Sequence, residues 1–458
     1  MTHELDSLFF PKTVAVIGAS NQKESVGRTV FENFLSSKAK IRVFPVNPNH
    51  AEVLGKKSFK SIKEIPGKID LALIVVPAKF VPGVVRECGE KKVKAAIIIS
   101  AGFSEVGEKE LTEKLLQEMK KAKHTRFLGP NCFGVLENYS GLNTTFSASA
   151  KMNYPKKGNV SFISQSGALG VAILDWMSTQ PFGLSKFVSY GNAMDIDEAD
   201  LLEYLDYDKK TKVITVYLEG VKEGRKFMAI AKKTTPKTPI IVLKGGVHEE
   251  THKATASHTG SLAGSTEIYE ALFKQTGIIR ADNLEELFMF AKTISLEPLP
   301  EGKRVQIITN GGGMGIATAD QVLSSELELS KIGPKAKKIL EKAFPKTVTV
   351  ANPLDLVGDA DEKRYALAIK NAIADKNVDM IIVIVLFNTP AIDAKIVKEI
   401  ARQKKKSRKP LVVISIGSKY TQDRVKEFEK NGVLVFSFPN TAAKSLKALY
   451  DYSVNKKK

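Results

Sequence analysis

His258 stands in the run Ala256-Ser257-His258-Thr259-Gly260-Ser261-Leu262-Ala263-Gly264, among small residues. Small flanks let an imidazole move and a phosphate approach. An imidazole that is neutral near pH 7 is also a nucleophile suited to carrying a phosphoryl group. Such a histidine needs an acceptor on its other ring nitrogen, and Glu219, at the end of the apolar run Val213–Leu218, is a candidate. The residues alone leave two other readings open. His248, His252 and His258 share one Gly/Ser/Thr-rich segment, 244–264, which suggests a metal cluster, although no Cys or well-placed acid joins them. The segment also reads as a plain surface loop. No metal site is expected.

Chemistry on a phosphoryl group needs places where dense negative charge can rest. Three apolar runs end in a Gly/Ser-rich turn with a helical stretch behind it. They are Val16-Ile17-Gly18-Ala19-Ser20, Ile163-Ser164-Gln165-Ser166-Gly167-Ala168 and Ile308-Thr309-Asn310-Gly311-Gly312-Gly313. Glycine lets the backbone approach a ligand, and the first helical turn offers unpaired N–H groups and a positive dipole end. Such turns are also an ordinary exit from a parallel strand, but three in one chain favour anion binding. At the first turn the spacing from Gly18 to Gly27 is too long for a dinucleotide fingerprint. The next strand runs into Pro45-Val46-Asn47-Pro48 with no acid at its end, which disfavours a nicotinamide ribose and leaves another adenine nucleotide. Val76-Pro77 and Ser100-Ala101-Gly102 end neighbouring strands and belong to the same crevice.

These turns need strands to carry them. Short β-branched runs, such as 13–17, 71–76, 95–99, 160–163, 213–218, 240–243, 305–308, 380–385 and 411–414, alternate with helical stretches such as 108–122 and 284–294. Strands apolar on both faces are parallel strands covered by helices, so the fold class is α/β. Gly129-Pro130-Asn131 and the Pro-rich 296–302 segment punctuate the chain. They predict three domains, 1–128, 129–296 and 301–458.

The 458 residues are 43% hydrophobic and 26% charged, a soluble balance, with a net charge of +19. That charge fits either a protein that handles anions or a Lys-rich solvated surface of the thermophile kind. Its lysines lie in short scattered runs, without zinc-finger spacing or an aromatic RNA-binding signature, so nucleic acid is not an expected partner. Two cysteines in a long chain fit a reducing compartment. The N-terminus lacks a signal peptide pattern, and the most apolar run, Met380–Phe387, is far short of the roughly 20 residues needed to span a bilayer. No membrane association and a cytoplasmic location are expected.

Several strings occur together and in order: Val-Ile-Gly-Ala-Ser from 16, Pro-Val-Asn-Pro from 45, Gly-Pro-Asn-Cys-Phe-Gly from 129 and Ser-Gln-Ser-Gly-Ala from 164. Tyr-Gly-Asn-Ala from 190, Tyr-Leu-Glu-Gly from 217, Ser-His-Thr-Gly-Ser-Leu-Ala-Gly from 257, Thr-Asn-Gly-Gly-Gly from 309 and Asn-Pro-Leu-Asp from 352 complete the set. Over essentially its whole length the chain resembles the NDP-forming acyl-CoA synthetases, the ADP-forming acetate–CoA ligase group related to succinyl-CoA synthetase. The resemblance implies a Rossmann-like CoA-binding domain followed by two flavodoxin-like ligase domains, all doubly wound. It implies CoA at Gly18, Ala19, Ser20, Pro45, Asn47, Val76, Pro77, Ser100, Ala101 and Gly102. It implies an acyl-phosphate site at Gln165, Ser166 and Gly167, phosphorylation of His258 with Glu219 holding it, and a second helix terminus at Asn310, Gly311 and Gly312 near the nucleotide.

The implied reaction converts acyl-CoA, phosphate and ADP into carboxylate, CoA and ATP. An ATP-grasp β subunit, in an α₂β₂ assembly, would hold Mg²⁺ with the nucleotide, because this sequence contains no ATP-grasp segment. The alternative is a CoA or nucleotide sensor that keeps the fold without the chemistry. One departure concerns the third turn, where Met314 replaces a proline frequent in relatives.

Overall fold

The computed structural model describes residues 3–37, 39–147, 152–248, 250–251 and 266–457. His258 and His252 lie outside the described residues. The chain divides into two compact units, Met1–Arg280 and Ala281–Lys458.

The first unit contains two sheets. In the first, β1 (Thr13–Ile17) and β2 (Arg42–Val46) precede a small hairpin of β3 (Glu52–Val53) and β4 (Lys56–Lys57). Then come β5 (Leu71–Ile74), β6 (Ala95–Ile98) and β7 (Arg126–Leu128). The order is β2-β1-β5-β6-β7, and every pair is parallel. Helices α1 (Asp6–Phe9), α2 (Val26–Ser36), α3 (Val81–Glu90) and α4 (Lys109–Lys121) accompany it. Burial on both faces accounts for the unbroken apolar runs: all four residues of β5 and of β6 are fully buried. Each large aliphatic side chain so buried contributes about 1.5–3 kcal/mol.

The second sheet is built from β8 (Gly134–Glu137), β9 (Leu142–Asn143), β10 (Lys157–Ser164), β11 (Leu184–Ser189), β12 (Val213–Leu218), β13 (Ile240–Lys244) and β14 (Ile279–Ala281). Its order is β14-β13-β12-β10-β11-β8-β9, with β8 antiparallel to β11. Its helices are α5 (Gly167–Ser178), α6 (Glu198–Tyr207), α7 (Gly224–Thr234) and α8 (Thr266–Thr276). Lys186 on β11 is fully buried, with its ammonium 2.7 Å from Asp208 and 3.6 Å from Glu137.

The second unit opens with α9 (Leu284–Leu296), which packs on the final helix, α15 (Pro439–Asn455). Between them alternate β15 (Arg304–Thr309), α10 (Gly312–Ser324), β16 (Glu328–Leu329), α11 (Pro334–Ala343), β17 (Leu354–Asp355) and α12 (Glu362–Ala374). The series continues through β18 (Met380–Ile384), α13 (Lys395–Lys404), β19 (Leu411–Ile414), α14 (Lys419–Lys430) and β20 (Leu434–Phe436). The order β16-β15-β18-β19-β20, with β17 also on β15, is parallel throughout. The α/β fold class and the doubly wound parallel sheets are therefore as expected.

Set aside the small hairpin, the antiparallel flank and β17, and all three sheets share one winding. The first strand is internal, the second lies on one side of it, and the third to fifth run out on the other. In such a sheet the chain changes direction between the first and third strands, and the carboxyl ends there open a crevice for ligands. The crevices lie at β1/β5, β10/β12 and β15/β18. Each of the three glycine turns leaves the first strand of its sheet, at one of these points.

Candidate active site

At the β10/β12 crevice, parallel pairing sets Ser164 beside Tyr217. Gln165 and Glu219 follow on the two strand ends. The Gln165 side chain reaches across: its Oε1 accepts the Glu219 N–H at 2.6 Å and the Gly220 N–H at 3.1 Å. With Oε1 committed, Nε2 is the end of the amide available to a ligand. Ser166 caps α5, its Oγ accepting the Leu169 N–H, and Gly167 is the first helical residue. The first-turn N–H groups and the dipole of a 12-residue helix thus face the same crevice as the Glu219 turn.

Two interlocked loops form the wall. The Gly129–Pro130 peptide is cis and Asn131 has φ +57°. The Asn192 N–H donates to Pro130 O and the Met194 N–H to Gly129 O, while Phe133 N–H donates to Ser189 Oγ. A β-carbon on Gly191 would lie 2.3 Å from Asn131 O, so only glycine permits this approach. The Lys222 ammonium, its pKa lowered by burial against the opposing pull of Glu198 and Asp197, donates to Asn192 O at 2.6 Å. Glu105 joins this loop to the first sheet: its carboxylate accepts from Gly102 N–H, Phe103 N–H and Asn192 Nδ2. Burial opposes its ionisation, but these hydrogen bonds prevail and hold its carboxyl below the ordinary value.

The result is a cavity of about 660 Å³ in the first unit. It brings together Val76, Ser100, Ala101, Gln165, Ser166, Gly167 and Glu219 from the expected residues. Ser100 Oγ is turned onto Val76 O at 2.6 Å, tying two of the strand ends. Apolar walls come from Val26, Phe133, Phe146 and Val171. Cys132 also lines the space, but burial pushes its thiol up to about 12, so it is no thiolate nucleophile.

The remaining expected CoA residues frame the neighbouring β1/β5 crevice without lining the cavity. Gly18 has φ +95°, and a β-carbon there would lie 2.2 Å from Val75 O. Asn47 Nδ2 donates to Ala19 O at 2.8 Å, and Gly18 N–H donates to Val46 O, so Pro45-Val46-Asn47 holds the Gly18-Ala19-Ser20 turn. Gly27 completes the turn, since a β-carbon on it would meet Gly18 O at 1.9 Å. Pro77 precedes the helical turn Ala78–Phe80, and Gly102, at φ +109°, abuts Ala78.

Asn310, Gly311 and Gly312 belong to the second unit, at its own crevice. Both ends of the Asn310 amide are used internally: Oδ1 accepts Leu386 N–H, and Nδ2 donates to Leu386 O and Thr389 Oγ1. α10 starts at Gly312, with Met314 in its first turn. The Asp355 carboxylate stands 2.7 Å from where a β-carbon of Gly312 would be.

The residues that pattern reading left without a role are Asn131, Phe133, Gly191, Asn192, Lys222 and Glu105. For Asn131, Phe133, Gly191 and Asn192 the signal was present in the strings Gly-Pro-Asn-Cys-Phe-Gly and Tyr-Gly-Asn-Ala, which are the two interlocking loops; Glu105 and Lys222 lie outside both strings. Among the described residues no group of three or more His, Cys, Asp or Glu side chains is placed to hold a metal ion. No helix among them is long and apolar enough to cross a membrane.

Comparison with known proteins agrees with this arrangement. Family models for a CoA binding domain, a succinyl-CoA ligase-like flavodoxin domain and a ligase-CoA domain match residues 12–138, 157–294 and 305–455. The acetate–CoA ligase [ADP-forming] II subunit alpha of Pyrococcus furiosus is 42% identical over 98% of each chain. The acetate–CoA ligase [ADP-forming] of Methanocaldococcus jannaschii is 42% identical over all of this chain, which spans 64% of that longer protein. The dinucleotide-forming acetyl-coenzyme A synthetase 1 of Ca. Korarchaeum cryptofilum, solved with phosphate and ADP, is 37% identical at a TM-score of 0.92, covering 99% of this chain and 97% of that one. The chain belongs to the ADP-forming acetate–CoA ligase family, as a relative of its alpha subunits, and is a CoA-binding ligase.

Proposed function

We propose that this chain is the subunit that makes acyl phosphate from acyl-CoA, and carboxylate from acyl phosphate, with His258 as phosphoryl carrier. One observation carries the reading: the β10 turn, the Glu219 turn and the strand ends of the first sheet line one cavity. CoA would lie along the Gly18–Ser20 turn, held by Pro45–Asn47, with its thiol end reaching past Val76, Ser100 and Ala101. Phosphate at the α5 N-terminus attacks the thioester carbonyl; the C–S bond breaks, CoA leaves as thiol, and acyl phosphate remains. The α5 N–H groups and Gln165 Nε2 stabilise the accumulating charge without rearrangement. Neutral His258 then takes the phosphoryl group and the carboxylate leaves. Glu219, accepting the other ring N–H, fixes the tautomer and raises the basicity of the ring.

The phosphohistidine passes its phosphoryl group to ADP on an ATP-grasp partner, which supplies Mg²⁺ with the nucleotide; an α₂β₂ assembly in the cytoplasm fits this division of labour. The Asn310–Gly312 turn would serve near the nucleotide through its backbone, because the Asn310 amide is already engaged. Division into 1–128, 129–296 and 301–458 gives each sheet its own crevice. Acetate is the default acyl group.

The test adds acetyl-CoA, radiolabelled phosphate and Mg²⁺ to the purified chain. The expected result is acid-labile, alkali-stable label on wild type and none on His258→Ala. If other acyl-CoAs and the ATP-grasp partner also fail to give label, the enzymatic reading falls and a CoA sensor replaces it.

A further inference from the structure

The Glu219 turn is gripped from two sides. Gln165 takes the N–H groups of Glu219 and Gly220. On the carbonyl side stands Lys244, the last residue of β13, paired in register with Leu218. Its ammonium donates to Glu219 O at 2.8 Å and also to Gly245 O. The same ammonium lies 4.8 Å over the Tyr269 ring, and Tyr269 Oη accepts the Val221 N–H at 3.1 Å. Lys244 and Tyr269 are each only 7% exposed. A β-carbon on Gly245 would meet Tyr217 Oη at 2.6 Å, so the chain turns tightly just after the lysine.

A buried ammonium is costly unless an opposite charge and good acceptors compensate it. Two carbonyls and an aromatic face compensate in part. The rest is electrostatic, and the charge acting on Lys244 is that of Glu219. A simple structural tie would need only a neutral donor. Lys244 also begins the stretch that leads to His258, and the stretch is closed at its foot by Thr266 Oγ1 donating to Val247 O at 2.6 Å.

We propose that Lys244, seated on Tyr269, is a positioning residue for phosphoryl transfer: it holds the carbonyl side of the Glu219 turn and sets a fixed positive charge beside that carboxylate. This rests on the reading of Glu219 as the residue that orients His258. The lysine's charge acts against that of Glu219, which favours bringing a phosphoryl group up to the Glu219–His258 pair. Burial lowers the Lys244 ammonium to about 8 against the pull of Glu219, so its charge is present below that pH and lost above it. The other groups facing it do not mimic this step. Burial and the Glu219 charge hold the Tyr217 hydroxyl above its ordinary value, and burial holds Tyr269 above its own. Glu270 and Arg280, beside the same residues, pair with each other. Glu198, which acts on Tyr269, titrates near 7, below the lysine step.

The experiment measures the rate of phosphohistidine formation from acetyl-CoA and labelled phosphate, in the full chain, from pH 6 to 9. Four proteins are compared: wild type, Lys244→Met, Lys244→Arg and Glu219→Gln. Lys244→Met is expected to lower the maximal rate on the order of a hundredfold, with the acyl-CoA concentration at half-rate nearly unchanged. The wild-type rate falls as pH rises through about 8. Lys244→Arg restores most of the activity and removes that fall. A Lys244→Met protein that labels like wild type, while Glu219→Gln does not label, overturns the role of Lys244 and leaves that of Glu219 standing. A Glu219→Gln protein that labels normally overturns both. Should Lys244→Met fail to fold, the pH comparison decides: an identical fall in wild type and Lys244→Arg refutes the proposal.

Discussion

Replacing Gln165 with Met keeps the length and volume of the side chain and removes its acceptor. Two backbone N–H groups, those of Glu219 and Gly220, then lose their partner. Gly220 is buried and Glu219 is partly so, so water replaces the lost acceptor poorly. Leaving a buried donor unsatisfied costs about 1–3 kcal/mol. Two donors, one of them half-accessible, put the loss at roughly 2–4 kcal/mol. In a unit of this size that lowers the thermal midpoint by on the order of 5 °C or more, read by calorimetry. The turn can recover part of the loss by rotating its N–H groups toward the cavity, which moves the Glu219 carboxylate. A displacement near 1 Å at a reacting group costs on the order of a hundredfold in rate, so phosphohistidine formation should fall by about that factor. Gln165→Glu is the control: it retains an acceptor, so most of the stability should return, while the second carboxylate beside Glu219 keeps the rate low. A Gln165→Met protein with wild-type melting and wild-type labelling would refute the idea that this amide holds the catalytic turn.

Gly18→Ala must move either its own turn or Val75, because the new β-carbon would lie 2.2 Å from Val75 O at φ +95°. CoA affinity, measured by calorimetric titration, should weaken by on the order of tenfold or more, equivalent to about 1.4 kcal/mol; unchanged affinity would place CoA elsewhere. Lys186→Met leaves Asp208 and Glu137 buried without their cation. Breaking such a pair from one side costs about 3–5 kcal/mol, visible as a lower thermal midpoint, whereas Lys186→Arg at a fully buried site should not fully restore it. Glu198→Gln tests a pH effect. Burial, aided by Asp197, raises the Glu198 carboxyl from 4.5 to about 7. The folded state therefore binds the proton more tightly than the unfolded one, and that stabilisation is present below 4.5 and lost as pH rises through about 7. The gap corresponds to about 3 kcal/mol, so the variant should out-melt wild type at pH 8 and match it near pH 4.5; an equal difference at both would exclude the carboxyl as the cause.

Strand positions were legible because parallel strands buried on both faces admit only apolar residues, so Leu71–Ile74 and Met380–Ile384 stand out from any context. The glycine turns were legible for a related reason: Gly18 needs φ +95° beside another strand, and no other residue type tolerates that. Glu219 could be picked because an acid directly after an apolar strand has little packing reason to be there. Its supports could not. Gln165 looked like a ligand-binding amide, yet one end of it holds a backbone turn 54 residues away. Lys244 is one of many lysines, and only pairing of β12 with β13 puts it at the Glu219 carbonyl. Asn131 and Asn192 come from loops without period, and their closeness depends on Gly191 fitting against Asn131 O. In each case the missing information is a contact between distant segments, which local pattern does not encode.

The same winding used three times does not make three equal anion sites, because charge around the turns differs. At the second turn two ammonium groups, Lys222 and Lys244, brace the neighbouring loops by donating to backbone carbonyls. Lys244 thereby offsets the Glu219 carboxylate, which lines the same cavity as the α5 N-terminus. At the third turn the Asp355 carboxylate stands against the first residue of α10, with its Oδ1 accepting the Val357 N–H. An acid at a helix start occupies the place where an anion would gain most from the dipole. A bare phosphate is therefore expected to bind the Ser166–Gly167 turn more tightly than the Gly311–Gly312 turn, although the two look alike in sequence; equal loss of phosphate affinity, by calorimetric titration, in Gly167→Pro and Gly312→Pro proteins would refute this. The difference lies in residues far along the chain from either turn: Lys244, which offsets Glu219, for one, and Asp355 for the other.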